Sequence, residues 1–282
     1  MLCEKICAKV LTALLGFCTA LGCCAVPATA APAATTPAAA VPAVVVPAAV
    51  TAAIADPARP PEQVARDAER RPGDVLAFAG IRRGDRVADF MPGGAYFTRL
   101  LSPIVGDDGR VYAFLPEEQL KNCAPAETAG TRAIADDAHY HNVRVLKAPV
   151  NRFSAPEPLD LIWTALDFHD LYDSFMGPAN VPQVVGSFFR ALKPGGVLVI
   201  IDHVAQPGSN VRDTESLHRI DPEAIVRTVT AAGFVLEAES NVLRNTADNH
   251  TLVVFDPAIR GRTDQVVLKF RKPLRSAARF SP

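Results

Sequence analysis

The hydrophobic and polar positions between residues 86 and 105 predict a strand, a tight turn and a helix. Residues 87–90 form a short apolar run that contains Asp89, and the run breaks at Pro92, Gly93 and Gly94. The apolar residues beyond the break recur at the spacing that lines one face of a helix: Phe97, Leu100, Leu101, Ile104 and Val105. Glycine lets the backbone approach a ligand, and a helix start carries unpaired N–H groups. This segment predicts the first half of a nucleotide-binding βαβ unit, although the same pattern occurs in α/β proteins without a ligand.

The remaining pattern predicts an α/β domain. One or two helices are expected between residue 61 and Gly80, and two more at residues 181–192 and 221–232. Further strands are expected at residues 110–115, 142–147, 159–164, 197–202, 234–242 and 251–255. The last two are joined only by a short polar connection and must be antiparallel, whereas every earlier pair is separated by helix-length sequence and can be parallel. The prediction is a mostly parallel sheet that ends in an antiparallel hairpin.

The first thirty residues have the pattern of a signal peptide. Lys5 and Lys9 precede an apolar run at residues 10–26, and residues 28–30 (Ala-Thr-Ala) supply the small residues that signal peptidase requires. We expect cleavage after Ala30, export to the periplasm and no stable membrane insertion afterwards. An uncleaved anchor is the alternative, although the run is shorter than the roughly 20 residues that span a bilayer.

The positions of the cysteines agree with a signal peptide that is separate from the mature chain. Five of the six cysteines lie in the predicted signal peptide: Cys3, Cys7, Cys18, Cys23 and Cys24. A lipid anchor on Cys23 or Cys24 is a further alternative to release into the periplasm. Only Cys123 remains in the mature chain, so an internal disulfide and a metal site built on cysteines are both excluded.

Composition divides the rest of the chain. Residues 31–60 are almost entirely Ala, Pro, Val and Thr, and their frequent prolines predict a disordered linker. The folded domain is expected at residues 61–273, followed by a basic tail at residues 274–282. The formal net charge of -1 gives no global attraction for nucleic acid, and we expect none as a partner.

Several segments resemble exported bacterial proteins of the class I S-adenosylmethionine-dependent methyltransferase type. They include VADFMPGGAYFTRLL, LDLIWTALDFHDLYD and FFRALKPGGVLVIIDH, and the resemblance covers residues 61–273. It implies a Rossmann-like three-layer α/β sandwich, with a mostly parallel seven-stranded sheet that ends in an antiparallel hairpin. It also implies an S-adenosylmethionine pocket at the carboxyl ends of the first, second and fourth strands.

The resemblance also implies which residues bind the cofactor. The candidates that match the family pattern are Asp89, Pro92, Gly93, Gly94 and Asp167. The chain departs from the family's Gly-x-Gly-x-Gly pattern, because Met91 and Ala95 replace its first and third glycines. The acidic residue that closes the family's second strand is also missing, since Leu115 stands in its place. Glu117, or Glu118 beside it, is expected to bind the ribose hydroxyls instead.

Polar residues at the ends of the fourth and fifth strands are the catalytic candidates. His169 is the candidate general base, with Asp167 or Asp170 orienting it, and His203 follows the fifth strand. These residues would position an acceptor for in-line methyl transfer. The alternatives are a solvated loop or helix cap at residues 167–172 and plain entry into solvent at His203.

Two other pairs of polar residues have separate interpretations. His139 and His141 are expected at the surface, so that no metal site is predicted. His218 and Arg219 precede a helix capped by Asp221 and are candidates to close over the pocket.

The resemblance implies a methyltransferase that uses S-adenosylmethionine and acts on an unidentified small molecule or envelope component. The alternative is a non-catalytic exported binding protein whose methyltransferase fold has drifted, which the altered glycine pattern and the missing ribose acid favour. A dinucleotide-dependent oxidoreductase is disfavoured, because Gly93-Gly94-Ala95 does not complete the Gly-x-Gly-x-x-Gly fingerprint. An exported methyltransferase would also need a supply of a cofactor that is made in the cytosol.

Overall fold

A computed structural model describes residues 45–177 and 179–274, which form one mixed β-sheet between two layers of helices. The strands are β1 Arg86–Phe90, β2 Arg110–Pro116, β3 Val143–Ala148, β4 Leu159–Ala165, β5 Leu192–His203, β6 Val235–Ser240 and β7 Gln265–Arg271. Their order across the sheet is β3-β2-β1-β4-β5-β7-β6. The first five strands pair in parallel, and β7 is antiparallel to both β5 and β6.

Helices cover both faces of this sheet. Within the described residues they are α1 Ala48–Ile54, α2 Pro61–Val64, α3 Asp67–Arg70, α4 Pro72–Ala79, α5 Tyr96–Val105, α6 Glu117–Asn122, α7 Ala129–Ile134, α8 Val181–Ala191, α9 Thr214–Leu217 and α10 Pro222–Ala231. The core on one face includes residues of α1, α4 and α5, and the core on the other face includes residues of α8 and α10. Short 3-10 turns lie at Pro125–Thr128, Ala138–Tyr140, Val150–Arg152, His169–Tyr172 and Ser174–Met176.

The central strands are buried on both faces, as a parallel sheet between two helical layers requires. Side chains alternate along a strand, so in β1 Val87 joins the core of α4 and α5, whereas Ala88 and Phe90 join the core of α8 and α10. Phe90 stacks on Phe114 of β2, with ring centroids 5.5 Å apart. The predicted fold class, a mostly parallel seven-stranded sheet that ends in an antiparallel hairpin, is confirmed.

The last strand lies later in the chain than the sequence predicts. Residues 251–255 form bends and turns, and β7 takes the place that they were expected to occupy. Leu252 and Phe255 are each 37% exposed, although their apolar run suggests a strand. β7 pairs with neighbours along both edges and buries Val266 and Leu268, so it satisfies more backbone groups and removes more apolar surface from water.

The predicted disordered linker is wrong for its last part, because residues 48–54 form α1. The prolines at 42 and 47 are followed by none until Pro57, and this gap admits two helical turns. Val50 and Ala53 are each 1% exposed and pack in the same core as α4 and α5. The folded domain therefore begins before residue 61.

Several predictions concern residues outside the described part of the chain. They are the signal peptide, the lipid anchor, residues 31–44 of the linker and residues 275–282 of the tail. Within residues 45–177 and 179–274, no helix is long and apolar enough to cross a membrane.

If α1 is packed on the domain, shortening the buried side chain of Val50 should destabilise the fold. We expect Val50→Ala to lower the free energy of unfolding by roughly 1–3 kcal/mol, because it removes two buried methyl groups and leaves a cavity. Thr51→Ala on the exposed side of the same helix is the control and should change stability by less than about 0.5 kcal/mol. Urea denaturation measures both, and equal stability of the two variants would show that α1 is not packed.

Candidate functional site

A cavity of about 430 Å³ opens at the edge of the sheet where the parallel strands end. It is bounded by the turn after β1, by α6 after β2 and by the segments after β4 and β5. All predicted site residues except Glu117 line it: Asp89, Pro92, Gly93, Gly94, Asp167, His169 and His203. Its volume lies within the roughly 300–1,000 Å³ that is typical of small-molecule sites. The protein's own side chains leave the predicted ligand site open.

The turn from β1 into α5 has a left-handed backbone at three positions: φ is 58° at Met91, 53° at Gly93 and 63° at Ala95. Met91 and Ala95 stand where the family pattern has glycine, and this conformation costs a residue with a Cβ about 1–2 kcal/mol. Burial offsets the cost, because Met91 is 1% exposed and Ala95 is fully buried. Complete burial of a methionine side chain contributes about 1.5–3 kcal/mol. Burial therefore stabilises the left-handed backbone at Met91 and Ala95 without glycine.

Side chains from α2 and α7 hold the carbonyl groups of this turn. Thr131 Oγ1 donates to the carbonyl of Gly93 at 2.7 Å, and Gln63 Nε2 donates to the carbonyl of Gly94 at 2.8 Å. Gly130 packs so closely that a Cβ there would lie 2.2 Å from the Gly94 oxygen. The turn is therefore fixed from two sides.

Asp89 is a buried carboxyl group beside the turn. It is 2% exposed, and the Thr98 hydroxyl in the first turn of α5 donates to its Oδ2 at 2.6 Å. Burial raises the pKa of Asp89 to about 7, although the hydrogen bond from Thr98 acts in the opposite direction. The carboxyl group therefore gains and loses its proton near neutral pH.

Glu117 does not line the cavity, which corrects its predicted role as the ribose-binding acid. It is the exposed first residue of α6, and Glu118 accepts a hydrogen bond from the Val150 backbone N–H at 2.9 Å. A helix turns by roughly 100° per residue, so the side chain two positions after Glu117 points the other way. That residue is Gln119, which lines the cavity and is 5% exposed. Its Oε1 is buried and accepts no hydrogen bond within the described part of the chain.

Arg70 is a second cavity residue that the sequence does not single out. Its guanidinium lies 4.6 Å from the ring centroid of Tyr96 and 5.6 Å from that of Phe97. Burial, and then the charge of Arg66, lower the pKa of Arg70 to about 10. The Arg70 Nε has no hydrogen-bond partner among the described residues. This cation lines the cavity with an unused donor, which suits an anionic ligand group.

His169 lies in a buried network at the other side of the cavity. Leu166, with φ of 70°, turns the chain sharply after β4. His169 Nδ1 is 2.7 Å from Asp202 Oδ1, and the His169 backbone N–H donates to Asp202 Oδ2 at 2.8 Å. His169 Nε2 is 3.0 Å from Asp170 Oδ1 and 3.3 Å from Nδ1 of His218. Both ring nitrogens of His169 therefore face other polar groups.

Carboxylates surround the ring of His169, the predicted general base. Burial acts to lower the pKa of His169, but the carboxylates of Asp202 and Asp170 outweigh burial and raise this pKa well above its ordinary value. Asp170 contacts the ring as one of the two predicted orienting residues, whereas Asp167 forms no hydrogen bond with it. Asp167 lines the cavity instead, where burial and then the Asp170 carboxylate raise its own pKa.

The pKa of His203 is shifted in the opposite direction to that of His169. Its Nδ1 is 2.7 Å from the Thr263 hydroxyl, and its ring centroid is 6.2 Å from that of His169. Burial, and then the charge of His169, lower the pKa of His203 well below its ordinary value. Of the two predicted catalytic histidines, His203 is therefore the neutral one.

The two residues that were candidates to close over the pocket have different positions. His218 lines the cavity, whereas Arg219 is fully buried away from it. Arg219 donates to the carbonyl of Val204 and forms an ion pair with Asp248, both at 2.9 Å. Asp221 caps α10 as predicted, because its Oδ1 accepts from a backbone N–H of the first helical turn at 3.0 Å.

Comparisons with known proteins agree with this architecture. No protein-family model matches the chain. The chain is 27% identical over 202 residues to the ubiquinone/menaquinone biosynthesis C-methyltransferase UbiE of Proteus mirabilis, and the match covers 69% of this chain and 67% of that relative. The solved structure of the [4+2]-cyclase SpnF is similar with a TM-score of 0.54 at 16% identity, covering 78% of this chain and 85% of that one. An arsenic(III) S-adenosylmethionine methyltransferase from Chlamydomonas reinhardtii has a TM-score of 0.50 at 16% identity, covering 82% of this chain and 75% of that one.

The chain has the class I methyltransferase fold. The matched stretch spans about two thirds of the length of the UbiE relative, and the likeness to the solved structures concerns the fold. Within this methyltransferase fold, the turn after β1, the end of β2 and the segment after β4 meet at one edge, as the resemblance implies.

The contact between α7 and the turn should tolerate no added side chain. We expect Gly130→Ala to destabilise this methyltransferase fold by roughly 1–3 kcal/mol, because its Cβ would overlap the Gly94 carbonyl and displace the turn. Gly73→Ala in α4 is the matched control, since its Cβ would meet other atoms at an ordinary 3.5 Å. Thermal melting compares the two variants. Equal melting temperatures would show that the turn can move away from α7.

The raised pKa of Asp89 makes stability depend on pH. The folded protein holds this proton up to about pH 7, whereas the unfolded chain releases it near pH 3.8. The free energy by which Asp89 destabilises the ligand-free fold therefore grows as the pH rises from 3.8 to about 7 and stays constant above that value. We expect the stability of Asp89→Asn relative to the natural protein to rise by roughly 2 kcal/mol between about pH 5.5 and pH 8. Thr98→Val should move the midpoint of this dependence upward. Urea denaturation across this range is the measurement, and a difference that stays constant with pH would contradict the shifted pKa.

Proposed function

We propose that this chain is a methyltransferase that uses S-adenosylmethionine and acts on a small molecule or envelope component that is not yet identified. The observation that carries the proposal is the left-handed turn after β1, which stands where the family has its glycine loop and borders an open cavity. The sequence relative named as a C-methyltransferase supports the same activity. The proposal includes export, which rests on the predicted signal peptide.

The residues around the cavity fit the functional groups of S-adenosylmethionine. Its carboxylate suits Arg70 and the start of α5, where the capping residue Ala95 offers no side-chain hydrogen bond. Its ammonium group suits Asp89, which lines the same side of the cavity as the turn. The buried Oε1 of Gln119 offers an acceptor to a hydroxyl or amino group of the nucleoside. The carboxylate and the ammonium group of the cofactor therefore each have a candidate partner of opposite charge.

The chain's own contribution to methyl transfer would be to position the acceptor and to exclude water. S-adenosylmethionine supplies an electrophilic methyl group when it is bound. His203 lines the part of the cavity at the ends of β4 and β5, where we place the methyl acceptor and which we call the acceptor side. It is a neutral imidazole, and its Nδ1 forms a hydrogen bond with the Thr263 hydroxyl. In the tautomer whose Nδ1 donates to Thr263, Nε2 is the ring atom that can accept a hydrogen bond or a proton from the acceptor. Phe255, partly exposed beside the ring of His218, adds an apolar wall.

A binding protein without methyl transfer is the second candidate. The fold occurs in SpnF, which is named as a [4+2]-cyclase, and the usual ribose-binding acid is missing from this chain. Measurement of product formation after incubation with cell-envelope extracts separates this candidate from an active methyltransferase, because only the latter releases S-adenosylhomocysteine.

Calorimetric titration with S-adenosylmethionine and S-adenosylhomocysteine tests the cofactor. We expect one molecule bound per chain, and we expect Gln119→Ala to weaken binding by roughly 5- to 100-fold, because an unpaired buried polar group costs about 1–3 kcal/mol. Glu117→Gln, two positions away on the exposed side of α6, should bind as the natural protein does. No heat with either compound at millimolar concentration would contradict the proposal and favour the drifted binding protein.

A further inference from the structure

Four polar side chains converge at the acceptor side of the cavity. His169 and Asp170 belong to the 3-10 turn after β4, Asp173 follows this turn directly, and His218 follows α9. One nitrogen or oxygen atom from each residue lies within 4.8 Å of the corresponding atoms of the other three. We propose that these four side chains bind one divalent transition-metal ion, with Zn²⁺ as the expected ion.

The spacing of the four groups suits tetrahedral coordination. Zinc bonds to imidazole nitrogen and carboxylate oxygen are about 2.0–2.2 Å long, which places neighbouring ligand atoms of a tetrahedron roughly 3.3–3.6 Å apart. His169 Nε2 lies 3.3 Å from His218 Nδ1 and 3.0 Å from Asp170 Oδ1. His218 Nδ1 lies 3.8 Å from Asp170 Oδ1 and 3.8 Å from Asp173 Oδ2. Shifts of a few tenths of an ångström would bring these four pairs to the required distance, and the pairs of Asp173 with His169 and Asp170, which lie within 4.8 Å, would have to close by up to about 1.5 Å.

Asp173 gives independent support for a bound cation. It is 3% exposed, and neither of its carboxylate oxygens has a hydrogen-bond partner of normal geometry among the described residues, although the Thr214 hydroxyl lies beside it and His218 Nδ1 lies 3.8 Å from its Oδ2. No lysine or arginine of residues 45–177 and 179–274 forms an ion pair with Asp170 or Asp173. Burying a carboxylate without a close, permanently charged partner is costly. A metal ion between these residues would supply the missing positive charge.

Asp202 completes the arrangement behind the proposed ligands. It is fully buried and lies 2.7 Å from His169 Nδ1, the ring nitrogen on the side opposite to the proposed metal. A carboxylate in this position fixes the orientation of a metal-binding imidazole and increases its basicity. The donor set of two imidazoles and two carboxylates suits Zn²⁺ and similar transition metals, whereas Ca²⁺ and Mg²⁺ prefer oxygen ligands alone.

The position of the site suggests what the ion would face. His169, Asp170 and His218 line the cavity, whereas the buried Asp173 does not. A bound ion would therefore have one side toward the acceptor, where an oxygen or nitrogen atom of the substrate could join its coordination sphere. This last step rests on the proposed function, but metal binding itself does not.

Metal titration of the purified full chain tests the proposal without the methyl donor. After treatment with a chelator, the protein should bind one Zn²⁺ per chain in competition with a chromophoric chelator, and saturating Zn²⁺ should raise Tm by roughly 5–10 °C. Asp173→Asn should weaken binding more than about 100-fold, since even outer-shell partners typically contribute 10- to 100-fold. Co²⁺ loading should give the visible absorption of a tetrahedral site.

Two further variants separate this site from other causes of binding. His218 has φ of 53°, and Asn tolerates this left-handed conformation, so His218→Asn should stay folded while it loses the metal. The double variant His139→Gln, His141→Gln removes exposed histidines outside the cavity and should bind Zn²⁺ as the natural protein does. Absence of a one-to-one complex in the natural protein would overturn the proposal. Unchanged binding in both Asp173→Asn and His218→Asn, or loss of binding in the double variant, would overturn it as well.

Discussion

The left-handed turn between β1 and α5 is the constraint on which the rest of the structure depends. β1 lies at the centre of the sheet between β2 and β4, and α5 packs on one face, so this turn sets where the helix begins relative to the sheet edge. Met91 is anchored in the core on one face and Ala95 in the core on the other. Anchoring in both layers explains how the turn holds a left-handed backbone without glycine at these positions, because buried apolar surface compensates for backbone strain.

Charge divides the cavity that this turn bounds. Arg70 and the start of α5 make the turn side suitable for an anion, while the side beneath β4 and β5 gathers the acidic groups Asp167, Asp170 and Asp202. The ring of His169 contacts both Asp170 and Asp202 in this acidic network. The remaining negative charge suits cationic ligands, and both a sulfonium and a divalent metal ion are of this kind. The proposed cofactor and the proposed metal are therefore compatible with the same electrostatic asymmetry.

Sequence patterns predict the sheet because buried parallel strands are continuous apolar runs, and they predict the cavity because parallel strands end at one edge. They fail where local patterns are ambiguous. The apolar residues 251–255 resemble a strand as closely as β7 does, and only pairing along both edges distinguishes the two. Gln119 could not be chosen over Glu117 without knowing where α6 begins. The approach of His218 to Asp173, 45 residues earlier in the chain, is set by tertiary packing and leaves no signal in the local sequence.

The segment after β4 links the two sides of the cavity. Leu166 turns the chain so that Asp167 faces the cavity, and within six residues the same segment supplies His169, Asp170 and Asp173. A short 3-10 turn has few internal hydrogen bonds, so its geometry depends on what its side chains contact. Asp202 holds one edge of this turn through both the backbone and the ring of His169. Groups that fix His169 and Asp170 therefore also restrict Asp167, and the cofactor side and the acceptor side of the cavity cannot be ordered independently.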